Sequence, residues 1–310
     1  MKRYKENIIL IAVIAALSIY VFLHKKDQTN YKLPMIPEIT TTEITKLEID
    51  SLNAAVILKK KEGGWYIDPE GYPANQAKVN LMLASLKDVN ITALVSNLKN
   101  YDLYDLNDEK KIIIRAWSKG KLERMLEIGK TASSYRHTFV KLEQDGPVYH
   151  AEGDFNSSFN LPKDKLRDKL VLSFKKIEIK NIDIQKNSAR VSLSLNETAN
   201  TEGEQKSNAE SWQTSDGKIC STAKIDTLLD SLSALKCEKY INNKKKDDFK
   251  APIFTIILKG AAEKKLSIFA VQGEDETEYP CTSSENEYPF LLSKYEAEKI
   301  MIDPEGIVEE

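Results

Sequence analysis

The chain contains one stretch twice. Trp65 opens WYIDPEGYPANQAKVNLMLASLKDV and Trp212 opens WQTSDGKICSTAKIDTLLDSLSAL, and in each copy a turn leads from the Trp into apolar residues at helical spacing. Val79, Met82, Leu83, Leu86 and Val89 answer to Ile225, Leu228, Leu229, Leu232 and Leu235, every pair 146 positions apart. Ala77-Lys78 recurs as Ala223-Lys224 at the same offset. A chain that repeats a helix together with its lead-in folds as two like units. Trp65, Val79, Leu83 and Leu86, with Trp212, Ile225, Leu229 and Leu232, form the core that defines the repeat. The Trp at each strand end is read as packed beneath its helix.

Strand-like runs surround each helix. Residues 44–49 and 55–59 alternate before a Gly63-Gly64 turn into Trp65. KIEI at 176–179 repeats KLEI at 46–49 at an offset of 130, whereas the Trp residues are offset by 147, which leaves about 17 extra residues in the second copy. The polar stretch 196–210, NETANTEGEQKSNAE, accounts for them as a surface loop inserted between two strands. After the helices, 111–116 matches 253–258, and 122–129 matches 266–273, each ending in Gly. Residues 138–142 and 147–150 have a shorter, degraded counterpart at 278–281 and 289–292, and 163–170 reads as a short helix closing the first unit. An amphipathic helix must bury its stripe on a sheet face. The expected class is therefore α+β: a tandem duplication of a strand-rich unit with one amphipathic helix packed on a sheet, preceded by one transmembrane helix.

The expected divisions are a cytoplasmic tail at 1–7, a transmembrane anchor at 8–24, a tether at 25–43 around Pro34 and Pro37, repeat units at 44–172 and 173–303, and a C-terminal tail at 304–310. Residues 8–23 are 16 uncharged residues between basic flanks. They span roughly 24 Å against a hydrocarbon core of roughly 30 Å, so the flanking lysines must snorkel or the bilayer thin. No small-x-small site and no lipid-accepting cysteine follows, which favours a retained anchor over a cleaved signal. A short tail ahead of a first span usually stays inside, which places the bulk of the chain outside the cytoplasm of a bacterial inner membrane; with Lys25, Lys26 and Lys32 after the span, the alternative is the reversed topology, a cytosolic domain with three free thiols.

Composition and motifs remove several classes of function. Lys and Arg number 45 against 47 Asp and Glu, a net charge of −2 with both signs scattered, so there is no basic field for nucleic acid. The cysteines, Cys220, Cys237 and Cys281, are too few and too odd in number for a disulfide framework and lack metal-site spacing. Cys220 and Cys237 bracket the second helix roughly 20 Å apart, so any pair would include Cys281. His24 flanks the anchor. His137 and His150 fall on neighbouring strand-like runs without an accompanying metal motif and are read as ordinary strand histidines. No phosphate loop, nucleophile elbow or kinase set is present, and carboxylate pairs such as Asp68 and Glu70 read as turn residues. Catalytic residues, cofactor and metal are all expected to be none.

The anchor, the W-x-I…P-A…A-K-V-x-x-M-L-x-S-L segment, Tyr104-Asp-Leu-Asn-Asp108, Glu127-Ile-Gly129, Tyr135…Phe139-Val140…Val148-Tyr149 and Leu166-Arg-Asp-Lys169 together resemble the bacterial domain of unknown function 4340 over residues 44–300. Asp105 stands where that family usually has Gly, and the insertion after Leu195 is a second departure. The resemblance implies a membrane-anchored extracytoplasmic protein working beside ABC-2 type permeases and gliding-motility-type transport components, and it supplies no catalytic residues.

The expected function is a non-enzymatic binding or scaffold module, an auxiliary component of an ABC-type transport or envelope-assembly system. Its partners would be the inner membrane, through residues 8–24, and an ABC-2 type permease or other envelope protein. The competing expectation is an envelope hydrolase or glycan-binding enzyme with a site between the repeat units. The partner surface is placed where the copies diverge most, at Asn196, Thr198 and Glu204 in the polar loop and at Glu274, Asp275 and Glu276 in an acidic turn.

Overall fold

A computed structural model of the chain describes residues 2–23, 31–52, 54–199, 208–271 and 277–309. It is a strand-rich α+β protein that divides into two compact units, Met1–Leu166 and Arg167–Glu310.

The chain begins with helix α1 (Lys2–Leu23). Its described side chains, 10–20, include Leu10, Ile11, Val13, Ile14, Leu17, Ile19 and Tyr20, all about half or more exposed. Among the described residues no helix is long and apolar enough to cross a membrane. Residues 31–43 do not behave as a free tether. Ile39 is buried, its N–H bonds to Lys87 O, and Leu33 and Ile36 pack against the first core, because three apolar side chains in this proline-bearing segment have a hydrophobic surface to cover.

In the first unit, β1 (Lys46–Ser51), β2 (Ala54–Lys61), β3 (Gly64–Asp68) and β4 (Tyr72–Pro73) lead to α2 (Gln76–Lys87). After it come β5 (Ile91–Ser96), β6 (Ile112–Ser118), β7 (Lys121–Thr131), β8 (His137–Lys141) and β9 (Val148–Glu152), closed by α3 (Phe155–Phe159) and α4 (Lys163–Leu166). The strands form one sheet in the order β4-β3-β2-β1-β6-β7-β8-β9-β5. Alternation along each strand puts Leu47, Ile49, Leu58, Ile114, Leu126 and Ile128 on one face, where they share a buried cluster with Val79, Met82, Leu83 and Leu86 of α2.

The second unit runs β10 (Leu170–Ser173), β11 (Asn181–Lys186), β12 (Ala189–Ala199), β13 (Asn208–Thr214), α5 (Thr222–Leu232), β14 (Ala234–Lys236), β15 (Lys239–Tyr240), β16 (Phe254–Lys259), β17 (Glu263–Ile268), β18 (Glu278–Ser283), β19 (Phe290–Ser293) and α6 (Lys294–Ile300). Its large sheet is ordered β13-β12-β11-β16-β17-β18-β19-β15, which retraces the first sheet from β3 through β9 to β5. Ile225, Leu228, Leu229 and Leu232 of α5 lie in one cluster with Ile182, Ile184, Leu193, Ile256, Leu266 and Ile268. Trp65 and Trp212 are each 4% exposed.

Strand register corrects the repeat offsets read from sequence. Ile49 opposes Val56 and Ile114, as Ile184 opposes Val191 and Ile256, so β1 corresponds to β11 at an offset of 135. Lys176–Glu178, taken above as the strand counterpart, is a 3-10 turn matching Thr41–Glu43 at that same offset. The extra length in the second copy is thus 12 residues, the difference between 147 and 135. Nor is 196–210 a loop throughout: Asn196 to Ala199 pair with Ser211 to Asn208, lengthening the β12–β13 hairpin. β18, expected to be degraded, has six residues against five in β8. Likewise only Lys163–Leu166 of 163–170 is helical, because Leu170–Ser173 pairs with Ala234–Lys236 in the second unit.

The repeated Ala-Lys dipeptide has a structural reason. Lys78 donates through Nζ to Lys165 O at 2.6 Å while Asn75 N–H bonds to Leu166 O. Lys224 does the same to Gly306 O at 2.6 Å, and Ser221 N–H bonds to Ile307 O. Each unit therefore ties its last turn to the first turn of its helix. The segment 304–310, expected to be a C-terminal tail, contains a 3-10 turn, Glu305–Ile307, with Ile307 buried, because that helix start needs partners for its unsatisfied N–H groups.

Candidate ligand pocket of the second unit

The face of each sheet turned away from the helix carries the largest difference between the copies. In the first unit, Glu127 on β7 stands directly opposite Lys141 on β8. Both are 1% exposed, and Lys141 Nζ lies 2.8 Å from Glu127 Oε2. Lys111 Nζ approaches the same oxygen at 3.4 Å and Asp108 Oδ1 at 2.6 Å; the contacts at Oε2 are ionic, not well-aligned hydrogen bonds. Lys141 also donates to Gln144 O at 2.6 Å and sits 3.8 Å from the centre of the Tyr101 ring. Burial alone would lower the Lys111 pKa, but the hydrogen bond to Asp108 and the charges of Glu127 and Asp108 outweigh it and hold the ammonium above its usual value.

This network is closed from above by the 3-10 turn Tyr101–Tyr104, which ends at Asp105 in the left-handed conformation, φ 53°. That conformation explains why glycine suits this position. The turn lies so close to the sheet that a Cβ on Gly129 would stand 2.1 Å from Tyr104 O. The Glu127-Ile-Gly129 motif thus supplies a buried charge, a core side chain and a place for backbone to touch down.

The second unit holds different residues at the same points of the ladder. Leu266 and Ile268 take the core positions of Leu126 and Ile128, facing Ile256 and Phe254 as those face Ile114 and Ile112. The sequence match of 122–129 to 266–273 is therefore out by four: Phe269, not Gly273, occupies the place of Gly129. Ser267 then replaces Glu127, and it faces Thr282 where Glu127 faces Lys141. Phe269 thus stands where the first unit has Gly129, and a pocket of about 300 Å³ lies beside it. Lys246, Phe249 and Pro252 line it from the covering segment, Lys265, Ser267 and Phe269 from β17 and its end, and Thr282, Ser283 and Ser284 from β18 and its end. Among the described residues lining it none is acidic.

The pocket's polar groups are held in place. Lys246 Nζ donates to Ser283 O at 2.5 Å, and burial pushes its pKa below the ordinary lysine value despite the opposing charges of Glu287 and Asp247. Ser283 Oγ accepts the N–H of Glu285 at 3.1 Å and Ser284 Oγ accepts the N–H of Lys265 at 2.9 Å. A hydroxyl used as acceptor keeps a proton to donate. Phe249 and Phe269 form one wall, ring centres 5.3 Å apart.

Of the residues singled out in the sequence, the structure describes some. Asn196 Nδ2 donates to Gln213 Oε1 at 3.1 Å across the β12–β13 hairpin, and Thr198 pairs with Ala209 in the ladder. Glu204, Glu274, Asp275, Glu276 and His24 lie outside the described residues. His137 and His150 do come together, rings stacked 5.4 Å apart, and the pKa of His150 is lowered by burial and by His137. Among the described residues no group of three or more His, Cys, Asp or Glu side chains is placed to hold a metal ion. The three cysteines are buried and free, and burial raises the Cys237 thiol to about 11.

Sequence reasoning missed Arg167, which is 3% exposed. Its guanidinium stacks 3.7 Å over the Tyr240 ring and donates to Asn242 Oδ1 at 2.7 Å, while Tyr240 OH bonds to Asp168 O at 2.6 Å. This explains the Leu-Arg-Asp-Lys motif at 166–169: Leu166 closes one core and Arg167 opens the packing of the next unit.

A family profile described as domain of unknown function 4340 matches residues 65–252. The chain belongs to that family. The match opens on Trp65, takes in both repeated helices, and ends at Pro252 on the rim of the pocket, so the strands carrying Ser267 and Thr282 lie beyond it. Neither the curated proteins nor the solved structures contain a match to the chain.

Proposed function

We propose that this domain of unknown function 4340 protein is a non-enzymatic binding module, held at a bacterial inner membrane by residues 8–24 with its two units outside the cytoplasm. It serves an ABC-type transport or envelope-assembly system, with an ABC-2 type permease or another envelope protein as its partner. The observation that carries the reading is α1. Leu10, Ile11, Val13, Ile14, Leu17 and Ile19 are 49 to 66% exposed along one helix, apolar surface that each unit otherwise buries and that a lipid environment would cover. The transport partner rests on the family resemblance.

The test is fractionation of cells expressing the full chain, protease treatment of spheroplasts, and cross-linking before detergent extraction. Retention in the carbonate-washed membrane fraction, digestion by external protease and recovery of a permease subunit are the expected results. Release by carbonate, or protection of the units from external protease, would overturn the anchor or its orientation.

A further inference from the structure

We propose that the pocket between β17, β18 and residues 246–252 of the second unit binds a small anion, a carboxylate or phosphate group carried on a flat apolar body. This deepens the reading of the chain as a binding module and rests on it. Three observations converge on the ligand class. First, the duplication supplies an internal control: at one cross-strand position the first unit buries its own Glu127–Lys141 ion pair, while the second has only the neutral Ser267 and Thr282. The first unit's sheet face carries its own anion; the second unit's has none at that rung, where Ser267 Oγ lies 3.4 Å from Thr255 Oγ1. Second, the charged side chains that line this pocket are Lys246 and Lys265, with no carboxylate among the described lining residues. The Ser284 hydroxyl has accepted a backbone N–H and retains a proton to donate, which suits an acceptor-only ligand head. Third, Phe249 and Phe269 make an apolar wall beside these donors, and Lys244 Nζ lies 5.4 Å from the Phe249 ring centre. An anion on a flat apolar body meets both surfaces, whereas a bare inorganic ion leaves the wall uncovered. The volume of about 300 Å³ is at the lower end for small-molecule sites.

The experiment is isothermal titration of the full chain in detergent micelles with sodium benzoate, phenyl phosphate, inorganic phosphate and neutral benzyl alcohol. Benzoate or phenyl phosphate should bind with one site per chain, and whichever is tighter identifies a carboxylate or a phosphate ligand. Inorganic phosphate and benzyl alcohol should each bind at least about tenfold more weakly, since each meets only half of the pocket. Lys246→Gln should weaken benzoate or phenyl phosphate binding by about tenfold or more through loss of a charge-assisted contact. Ser267→Glu with Thr282→Lys, which installs the first unit's pair, should abolish binding while the circular dichroism spectrum is kept. If that double variant does not fold, Lys246→Gln alone decides. Benzyl alcohol binding as tightly as benzoate, undiminished binding by folded Lys246→Gln, or no heat from either aromatic anion would overturn the proposal. Permease recovery from cross-linked cells, measured alongside, separates the two claims. Recovery without anion binding sinks only the ligand, and loss of recovery and membrane retention sinks the module reading itself.

Discussion

The Glu127–Lys141 rung of the first sheet and the Ser267–Thr282 rung of the second occupy the same point of the same ladder, yet one is sealed and the other is open. The helix faces of the two sheets, by contrast, are matched residue for residue through Leu126 and Leu266, Ile128 and Ile268, and the stripes of α2 and α5. The duplication held fixed the side of each sheet that supplies its core, and let the other side diverge. A single glycine governs much of the outcome. At Gly129 the covering chain rests on the sheet, whereas Phe269 in the equivalent place lines a pocket.

The strongest way to break this comparison is to disable the first unit's seal. Glu127→Ala leaves Lys141 and Lys111 buried without their shared carboxylate, and breaking a buried pair in this way should cost about 3 to 5 kcal/mol. Urea denaturation of the full chain should show the loss in one of two transitions, while Ser267→Ala, at the matching rung, should leave both nearly unchanged. Equal effects at the two positions would mean that the network is not what closes the first unit.

A smaller effect is expected at the touchdown point. Gly129→Ala places a methyl 2.1 Å from Tyr104 O, and forcing the 3-10 turn off the sheet should cost about 1 to 3 kcal/mol. Phe269→Ala adds no such clash and should lower stability only through lost packing with Phe249. Thermal unfolding unaltered by Gly129→Ala would show that the covering segment has freedom to lift.

The smallest difference concerns the helix starts. Asn75 Oδ1 accepts the Lys78 N–H at 3.0 Å, whereas Ser221, at the same place in α5, makes no side-chain capping bond. Asn75→Ala should therefore cost about 1 kcal/mol, while Ser221→Ala should fall within a few tenths of the parent in the same denaturation assay. Matching losses would mean that Ser221 caps its helix in solution.

Much of this architecture was legible in the chain because amphipathic helices and alternating strands are local codes. Four of the five paired apolar positions lie in α2 and α5 and follow from a period of 3.6 read over a dozen residues; the fifth pair, Val89 and Leu235, falls just past the helices, and the apolar helix at the N-terminus follows from an unbroken uncharged run. What failed did so where likeness of letters stood in for geometry. KIEI at 176–179 resembles KLEI at 46–49, but the chain there forms a 3-10 turn with Ile179 buried and the strand begins at Asn181. The matched glycines at 129 and 273 similarly hid the fact that Phe269 takes the place of Gly129.

By itself the sequence determined that there are two units, that each lays a helix on a sheet, and which side chains enter each core, because those facts depend on neighbours within one or two turns. Only the tertiary structure decided that Glu127 meets Lys141, that Ser267 meets Thr282, and that Tyr104 rests on Gly129. These contacts depend on strand register, and a shift of one residue would send each side chain to the opposite face of its sheet.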